Sequence, residues 1–230
     1  MNEKIIIALD VSSREDALRL VRELHDLVGM FKVGSQLHMA AGPAIVREIA
    51  DLGGRVFLDL KFHDIPNTVT HAAVEAAKLG AFMMTVHGSG GRAMMEAVTC
   101  ELNDRFGSKR PLVIAVTVLT SLDTPAMFEI GLEHPVEQQV QRLALLSQDC
   151  GLDGIVCSPR EIQASRSVLD ADFKIVTPGI RMPGQAVDDQ QRTATAQDAL
   201  AAGADYIVVG RAVTSESDPR LALCRLTEGV

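Results

Sequence analysis

The sequence has few of the features that proteins use to bind nucleic acids. It contains no tryptophan and one tyrosine in 230 residues, and acidic residues outnumber basic ones by 30 to 22, for a formal charge of −8. Proteins that bind single strands stack bases on aromatic rings, and nucleic-acid binders in general present a basic surface. We therefore expect no nucleic-acid partner, while a local basic pocket for one phosphate group remains compatible with this composition.

Motifs typical of zinc knuckles, redox-active cysteine pairs and membrane-spanning helices are also missing. The cysteines, Cys100, Cys150, Cys157 and Cys224, form no C-x-x-C pair, so we expect four reduced and mostly buried thiols. No apolar run approaches the ~20 residues of a membrane-spanning helix. The first residues, MNEKIIIALD, predict a strand and not a signal peptide. We expect a cytoplasmic protein that does not enter a membrane.

Short β-rich runs alternate with amphipathic segments along the whole chain. The predicted strands are Lys4–Asp10, Phe31–Gly34, Arg55–Lys61, Phe82–His87, Leu112–Leu119, Gly154–Ser158, Lys174–Thr177 and Tyr206–Gly210. The predicted helices are Arg14–Leu27, Pro43–Leu52, Asn67–Leu79, Gly91–Phe106, Val136–Asp149, Pro159–Val168 and Ala196–Ala202. Gly53, Gly80, Gly107, Gly151 and Gly203 follow helix ends, where left-handed backbone is common. The alternation is typical of a parallel sheet covered by helices.

Eight strand–helix units of about 29 residues each predict a (β/α)₈ barrel, the TIM barrel fold, as one domain spanning residues 1–230. An open doubly wound sheet is the alternative, but it favours a glycine-rich turn after the first strand, and that strand ends in LDVSS. Two long loops are predicted, Thr120–His134 with a short helix near Pro125–Gly131, and Arg181–Thr195. Loops of this length are usually functional or disordered.

The third predicted strand carries the most informative charges. It runs into the segment FLDLKFHDIPNT, which places Asp59, Lys61 and Asp64 within six residues. Side chains two apart in a strand share a face, so Asp59 and Lys61 lie opposite the apolar side chains of Val56, Leu58 and Leu60. Burying such a pair is unfavourable unless the charges are paired or used in chemistry.

The first two strands direct further charges to the same end of the barrel. Strand one ends in Asp10, and strand two offers Lys32. Lys32, Asp59, Lys61 and Asp64 alternate in sign and can pair around a ring. A lysine held between carboxylates stays protonated and can donate its proton. The pattern suits a reaction in which a negative group leaves a carbon and a proton arrives there.

The last two strands indicate a phosphate site on the far side of the mouth. Strand seven ends in TPGIR and strand eight in VVGRAV, where Gly210 allows close approach of a ligand and Arg211 begins a short helix. The loops after strands seven and eight commonly bind phosphate in these barrels. His63 lacks metal-ligand spacing and has no obvious partner histidine, and we expect His87 to be a hydrogen-bonded structural residue, so we expect no metal.

The segment DLKFHDIPNT at Asp59–Thr68 closely resembles the signature of the orotidine 5′-phosphate decarboxylase family, of the bacterial type. The resemblance covers essentially the whole chain. It includes LDV at Leu9–Val11, FKVG at Phe31–Gly34, VLTS at Val118–Ser121, TPGIR at Thr177–Arg181 and VVGR at Val208–Arg211, in order and spacing. It implies a barrel enzyme, a carbon–carbon lyase of pyrimidine biosynthesis that converts orotidine 5′-phosphate to uridine 5′-phosphate and carbon dioxide without a cofactor.

The resemblance also implies roles for individual residues. Asp10 and Lys32 would hold ribose hydroxyls, Asp59 would face the departing carboxylate, and Lys61 would protonate the remaining carbon. Asp64 and Thr68 would be donated to the partner's site in an obligate homodimer. The substrate contacts would be completed by Thr120 and Ser121 at the pyrimidine, Gln190, Gly210 and Arg211 at the phosphate, and Arg181 as the anchor of the closing loop.

Two alternatives remain open at this stage. A magnesium-dependent 3-keto-gulonate-6-phosphate decarboxylase or hexulose-phosphate synthase shares the barrel and a similar D-x-K-x-x-D motif. Members of those groups carry a glutamate ligand after strand two, where this chain has Lys32. The other alternative is a non-catalytic barrel that binds nucleotides.

Overall fold

The protein, seen in a computed structural model that describes residues 2–181 and 193–228, has eight parallel strands. These are β1 Asn2–Ala8, β2 Val28–Gly34, β3 Arg55–Phe62, β4 Met83–His87, β5 Leu112–Val116, β6 Gly154–Val156, β7 Lys174–Thr177 and β8 Tyr206–Val209. Each strand pairs with its neighbours in chain order, and β1 also pairs with β8. The sheet therefore closes into a (β/α)₈ barrel forming one domain, which confirms the predicted fold and excludes the open sheet.

Eleven α-helices surround the barrel within the described residues. They are α1 Arg14–Leu24, α2 Ser35–Ala41, α3 Ala44–Asp51, α4 Pro66–Lys78, α5 Arg92–Phe106, α6 Thr124–Glu129, α7 Val136–Asp149, α8 Ile162–Arg166, α9 Ala196–Ala201, α10 Arg211–Thr214 and α11 Pro219–Leu226. Local capping explains where several begin. Ser13 accepts from the amide of Asp16 at the start of α1, and Asp218 accepts from the amide of Leu221 at the start of α11.

Apolar side chains form two separate clusters. The larger cluster lies between the strands and the helices, whereas the smaller one fills the inside of the barrel. The inner cluster consists of Ile6, Ala8, Met30, Phe57, Met83, Ile114, Val176 and Val208. Alternation along the strands produces this division, as in β1, where Ile6 and Ala8 point inward and Ile5 and Ile7 outward. The inner cluster closes the barrel beneath the mouth formed by the carboxyl ends of the strands.

Partly buried ion pairs connect strands at the opposite end of the barrel. Asp153, just before β6, accepts hydrogen bonds from the Arg110 guanidinium and from the amide of Val113 on β5, at 2.7 Å from the amide. Asp205, just before β8, repeats the arrangement with Arg166 and the amide of Ile175 on β7, at 2.9 Å from the amide. One carboxylate thus joins two strands and an arginine in each case.

Some sequence predictions differ from the structure. Strand β2 begins at Val28, three residues before the predicted start at Phe31, and helix α1 ends at Leu24 and not at Leu27. Helices α2 and α11 were not predicted, whereas the short helix expected to begin at Arg211 is observed as α10. Only Cys150 and Cys157 are buried, while Cys100 and Cys224 are exposed, so the expectation that most thiols are buried is wrong. Within the described parts of the chain, no helix combines the length and apolar character needed to cross a bilayer.

Candidate active site

Four charged side chains form an alternating line at the mouth of the barrel. The Lys32 ammonium lies 3.0 Å from Asp10 Oδ1 and 3.6 Å from Asp59 Oδ2. The Lys61 ammonium lies 2.9 Å from the same oxygen of Asp59. The order of contact is therefore Asp10, Lys32, Asp59, Lys61, with each positive charge next to a negative one. These residues come from the ends of three adjacent strands, as the sequence predicted.

Asp59 is the buried centre of this line. Its side chain is 12% exposed and that of Lys32 13%, whereas Asp10 is 51% exposed. Burial by itself raises the pKa of the Asp59 carboxyl, but Lys32 and Lys61 outweigh it, together with hydrogen bonds from Lys61 and Thr85, and leave that pKa below its ordinary value. Asp59 is consequently a carboxylate held in its charged form inside the protein.

Lys61 reaches the mouth through a distortion of β3. Four steps along β3, from Leu58 to Phe62, match two steps along β4, from Met84 to Val86. The extra residues form a bulge, in which Lys61 has a φ of 54°, the only positive φ among the described residues other than glycine. Simple strand alternation predicted the correct face for Lys61 but not this conformation.

The cavity above the charged line has the size of a small-molecule site. Its volume is about 510 Å³, and it is lined by residues from the ends of most strands. Phe57, Val116, Val156, Val176 and Val208 line its apolar part. The polar lining is provided by Asp10, Lys32, Gln36, Asp59, Lys61, Thr120, Arg181 and Arg211. A ligand in this cavity can therefore contact both charged and apolar side chains.

Comparison with known proteins identifies the family. The sequence model of the orotidine 5′-phosphate decarboxylase / HUMPS family matches residues 3–226. The chain belongs to this family. It is 48% identical to the orotidine 5′-phosphate decarboxylase of Syntrophotalea carbinolica over 98% of this chain and 94% of that one. It is 50% identical to the enzyme of the same name from Nitrosococcus oceani, over 96% and 94%.

A solved structure of the decarboxylase family shares the architecture. The crystal structure of orotidine 5′-phosphate decarboxylase from Lactobacillus acidophilus matches with a TM-score of 0.85 and 36% identity, covering 99% of this chain and 98% of that one. The family resemblance inferred from the sequence motifs is thereby confirmed over nearly the whole chain.

Not all residues expected from the decarboxylase motif lie in this chain's own cavity. Asp64 is exposed, and its Oδ1 accepts a hydrogen bond of 2.6 Å from the amide of Ile65. Asp64 is therefore not a member of a closed ring with Lys32, Asp59 and Lys61, and the line of charges ends at Lys61. Thr68, near the start of α4, is exposed and does not line the cavity.

Some of the residues expected at the pyrimidine and the phosphate line the cavity, and others do not. Thr120 lines the cavity, whereas Ser121 is exposed and lies outside its lining. Gly210 and Arg211 line the cavity after β8. Arg181 also lines it and donates a 3.0 Å hydrogen bond to the carbonyl of Ile180. Gln190 lies outside the described residues.

Sequence reasoning missed several residues at the mouth. Gln36 lines the cavity and donates a 2.8 Å hydrogen bond to Ser12 Oγ. Gly34 packs under the charges, where an added Cβ would lie 3.2 Å from the Lys32 nitrogen. Gly34 is the last residue of β2 and Gln36 follows it by two positions, so the rule that active sites form at carboxyl strand ends indicates both. Thr85, which contacts both Asp59 and Lys61, carried no such signal because threonine is common in strands.

Two histidines flank the charged line. The rings of His63 and His87 lie 5.2 Å apart between centroids, at an angle of 32°. Burial lowers the pKa of His87, and the nearby His63 and Lys61 lower it further against the opposing influence of Asp59. Among the residues described, no group of three or more histidine, cysteine or acidic side chains is placed to hold a metal ion.

Proposed function

We propose that this protein decarboxylates orotidine 5′-phosphate to uridine 5′-phosphate and carbon dioxide, without a cofactor. The observation that carries the proposal is the alternating line of Asp10, Lys32, Asp59 and Lys61 at the mouth of the barrel. It places a carboxylate and an ammonium 2.9 Å apart at one point of the cavity. The names of the relatives at 48% and 50% identity support the same substrate.

The proposed roles follow from charge and position. The carboxylate leaving the substrate would face Asp59, and the carbanion left on the ring would take a proton from the Lys61 ammonium. This carbanion has no conjugated electron sink, so its stabilisation depends on charges fixed in advance. Asp59 and Lys32 keep the Lys61 ammonium within a network that needs little rearrangement as charge develops.

The nucleotide would extend from the charged line to the opposite rim. Asp10 and Lys32 would hold the ribose hydroxyls, and Thr120 and Ser121 would face the pyrimidine. Arg211 and Gly210 would bind the phosphate together with Gln190. Arg181 would anchor the segment after β7, so that binding energy from the phosphate helps to assemble the site.

We further propose a homodimer in which Asp64 and Thr68 act in the partner's site. Both side chains are exposed and lie outside their own cavity. Between them, Ile65 exposes 66% of its surface and is available for contact with a second copy. A carboxylate supplied by the partner would continue the alternation of charges beyond Lys61.

The same residues favour the two alternative functions less than they favour decarboxylation of orotidine 5′-phosphate. A sugar-phosphate decarboxylase of the HUMPS type would hold magnesium near the end of β2, but Lys32 places an ammonium there, paired with two carboxylates. A barrel that only binds nucleotides has no need for Lys61 in a strained left-handed conformation, which costs about 1–3 kcal/mol.

The decisive experiment follows the absorbance of orotidine 5′-phosphate after addition of the protein. We expect the absorbance to fall and uridine 5′-phosphate to form. Lys61→Ala should lower turnover by at least about 100-fold, because it removes the proton donor. The same variant should still bind uridine 5′-phosphate in a calorimetric titration.

Lys109→Ala is the matched control. Lys109 is exposed at the other end of the barrel, so its substitution should leave turnover unchanged. Tight binding of uridine 5′-phosphate without turnover by the wild-type protein would favour the non-catalytic alternative. Activity that is lost with EDTA and restored by magnesium would favour the sugar-phosphate enzymes.

A further inference from the structure

Thr85 occupies an unusual position between the two central charged residues. It lies in the middle of β4, is fully buried, and has a hydroxyl that makes two hydrogen bonds. The hydroxyl donates to Asp59 Oδ1 at 3.1 Å and accepts from the main-chain amide of Lys61 at 2.9 Å. One side chain therefore links the carboxylate to the backbone that carries the ammonium.

The bulge in β3 explains why this link is needed. The register between β3 and β4 is interrupted from Leu58 to Phe62, so the amide of Lys61 lies in a stretch where the regular ladder of backbone hydrogen bonds is disrupted. A buried amide without a partner is destabilising by about 1–3 kcal/mol. The Thr85 hydroxyl supplies this amide with a side-chain acceptor in place of a ladder hydrogen bond.

We infer that the Thr85 hydroxyl is a positioning group for this site: it holds the Asp59 carboxylate and the left-handed main chain of Lys61 in the geometry that directs the Lys61 ammonium to the cavity. The inference rests on the proposed function and deepens it. Thr85 itself does not line the cavity, so it acts through Asp59 and Lys61 and not by contact with the substrate.

Two substitutions separate hydrogen bonding from packing. Thr85→Val keeps the branched shape and removes the hydroxyl, whereas Thr85→Ser keeps the hydroxyl and removes the methyl group. We expect Thr85→Val to lower kcat about 10- to 100-fold, the range typical of removing a hydrogen-bond partner that orients a metal ligand, because Thr85 orients Asp59 and Lys61 in a comparable way. KM should stay within about threefold, because the change affects the reacting groups more than substrate binding. Thr85→Ser should retain most of the wild-type kcat.

Thr117→Val is the matched control. Thr117 is also a buried threonine, next to the end of β5, and its hydroxyl donates a 2.8 Å hydrogen bond to the carbonyl of Val156. The substitution makes the same chemical change one strand away, without contact to Asp59 or Lys61 in the hydrogen bonds described. We expect kcat close to that of the wild type.

A second measurement needs no substrate. The Asp59 carboxyl can be titrated by carbon NMR in the free protein, where it faces Lys32 and Lys61, with Asp10 beyond Lys32 and His87 on β4. Because the Thr85 hydroxyl donates to the charged form of Asp59, Thr85→Val should raise the pKa of this carboxyl relative to the wild type and to Thr117→Val.

The outcomes are distinguishable. If Thr85→Val keeps kcat within about threefold of the wild type, or if Thr85→Ser falls as far as Thr85→Val, the inference is overturned. If Thr85→Val does not fold, as judged by circular dichroism, Thr85→Ser carries the test, since a packing role predicts a large loss from the missing methyl group. If the wild-type protein itself lacks decarboxylase activity, the proposed function fails, and the Asp59 titration alone decides whether Thr85 positions the pair.

Discussion

At the scale of single residues, the site depends on charges that are never buried alone. Asp59 is the least exposed member of the line, and it contacts an ammonium on each side at 3.6 and 2.9 Å. Removing one member of a buried pair leaves the other charge uncompensated, which is usually more damaging than removing both. The charged residues at the mouth therefore act as a unit. The effects of single substitutions among them on stability and activity should not be additive.

His87 gives the protein a sensitivity to acid that can be measured. Its folded-state pKa lies below the ordinary value of 6.5, so the unfolded chain takes up this proton first as the pH falls. Stability is then lost below about pH 6.5, until the folded state also protonates. We expect the fall in Tm between pH 7 and 5 to be smaller in His87→Gln than in the wild type.

The exposed His71 on α4 is the control for this change, and His71→Gln should follow the wild-type curve. An unchanged pH dependence of Tm in His87→Gln would show that burial of this ring has no part in the acid sensitivity.

Residue identities at the site were predictable to different degrees. Asp10, Lys32, Asp59 and Lys61 could be found because alternation along a strand and the position of strand ends determine which charges meet. Thr85 could not be found in this way, since its importance arises from contacts across strands, and the sequence alone contains no register. Asp64 was located in the motif, but its exposure could only be seen in the folded chain.

At the scale of elements, two carboxylates organise the end of the barrel opposite the site. Asp153 and Asp205 each bind an arginine and the second amide of the preceding strand. We expect Asp153→Ala and Asp205→Ala each to lower the free energy of unfolding by about 1–3 kcal/mol, since each leaves a partly buried amide and guanidinium without an acceptor. Turnover should be unaffected, because the change lies away from the mouth.

Urea titration followed by circular dichroism measures this, at one fixed protein concentration in case the chain associates. Glu23→Ala removes an acidic residue from an exposed ion pair with Arg19 and should cost less than about 1 kcal/mol. An equal loss in all three variants would contradict a special role for the two strand-joining carboxylates.

Strand order and helix ends were largely predictable from local rules. The five glycines expected after helix ends, Gly53, Gly80, Gly107, Gly151 and Gly203, all have positive φ. The short helix predicted near Pro125–Gly131 is observed as α6 at Thr124–Glu129. Helix α2 was missed because it has seven residues and no side-chain cap at Gly34. Helix α11 begins with a capping signal, Asp218 followed by Pro219, from which its start could have been predicted.

At the scale of the whole molecule, the proposed sharing of sites can be tested with hybrid dimers. A Lys61→Ala chain paired with an Asp64→Ala chain would contain one damaged and one intact site. Random mixing of the two inactive variants should therefore restore about one quarter of the wild-type activity, if dimers form symmetrically and exchange freely.

The matched control mixes Asp59→Asn with Lys61→Ala. Both residues would belong to the same protomer's half of each site, so their hybrids should remain inactive. Lack of recovery in confirmed hybrids of the first pair would rule out the proposed donation of Asp64.

The packed interior of the barrel also determines where hydrogen ions can travel. The inner cluster around Phe57 and Met83 fills the axis below the charges with hydrocarbon. In the proposed reaction each turnover converts the Lys61 ammonium into a neutral amine. Water that enters at the rim would therefore have to reprotonate that amine. The enzyme would be ready for its next substrate only after water has returned to the mouth of the barrel.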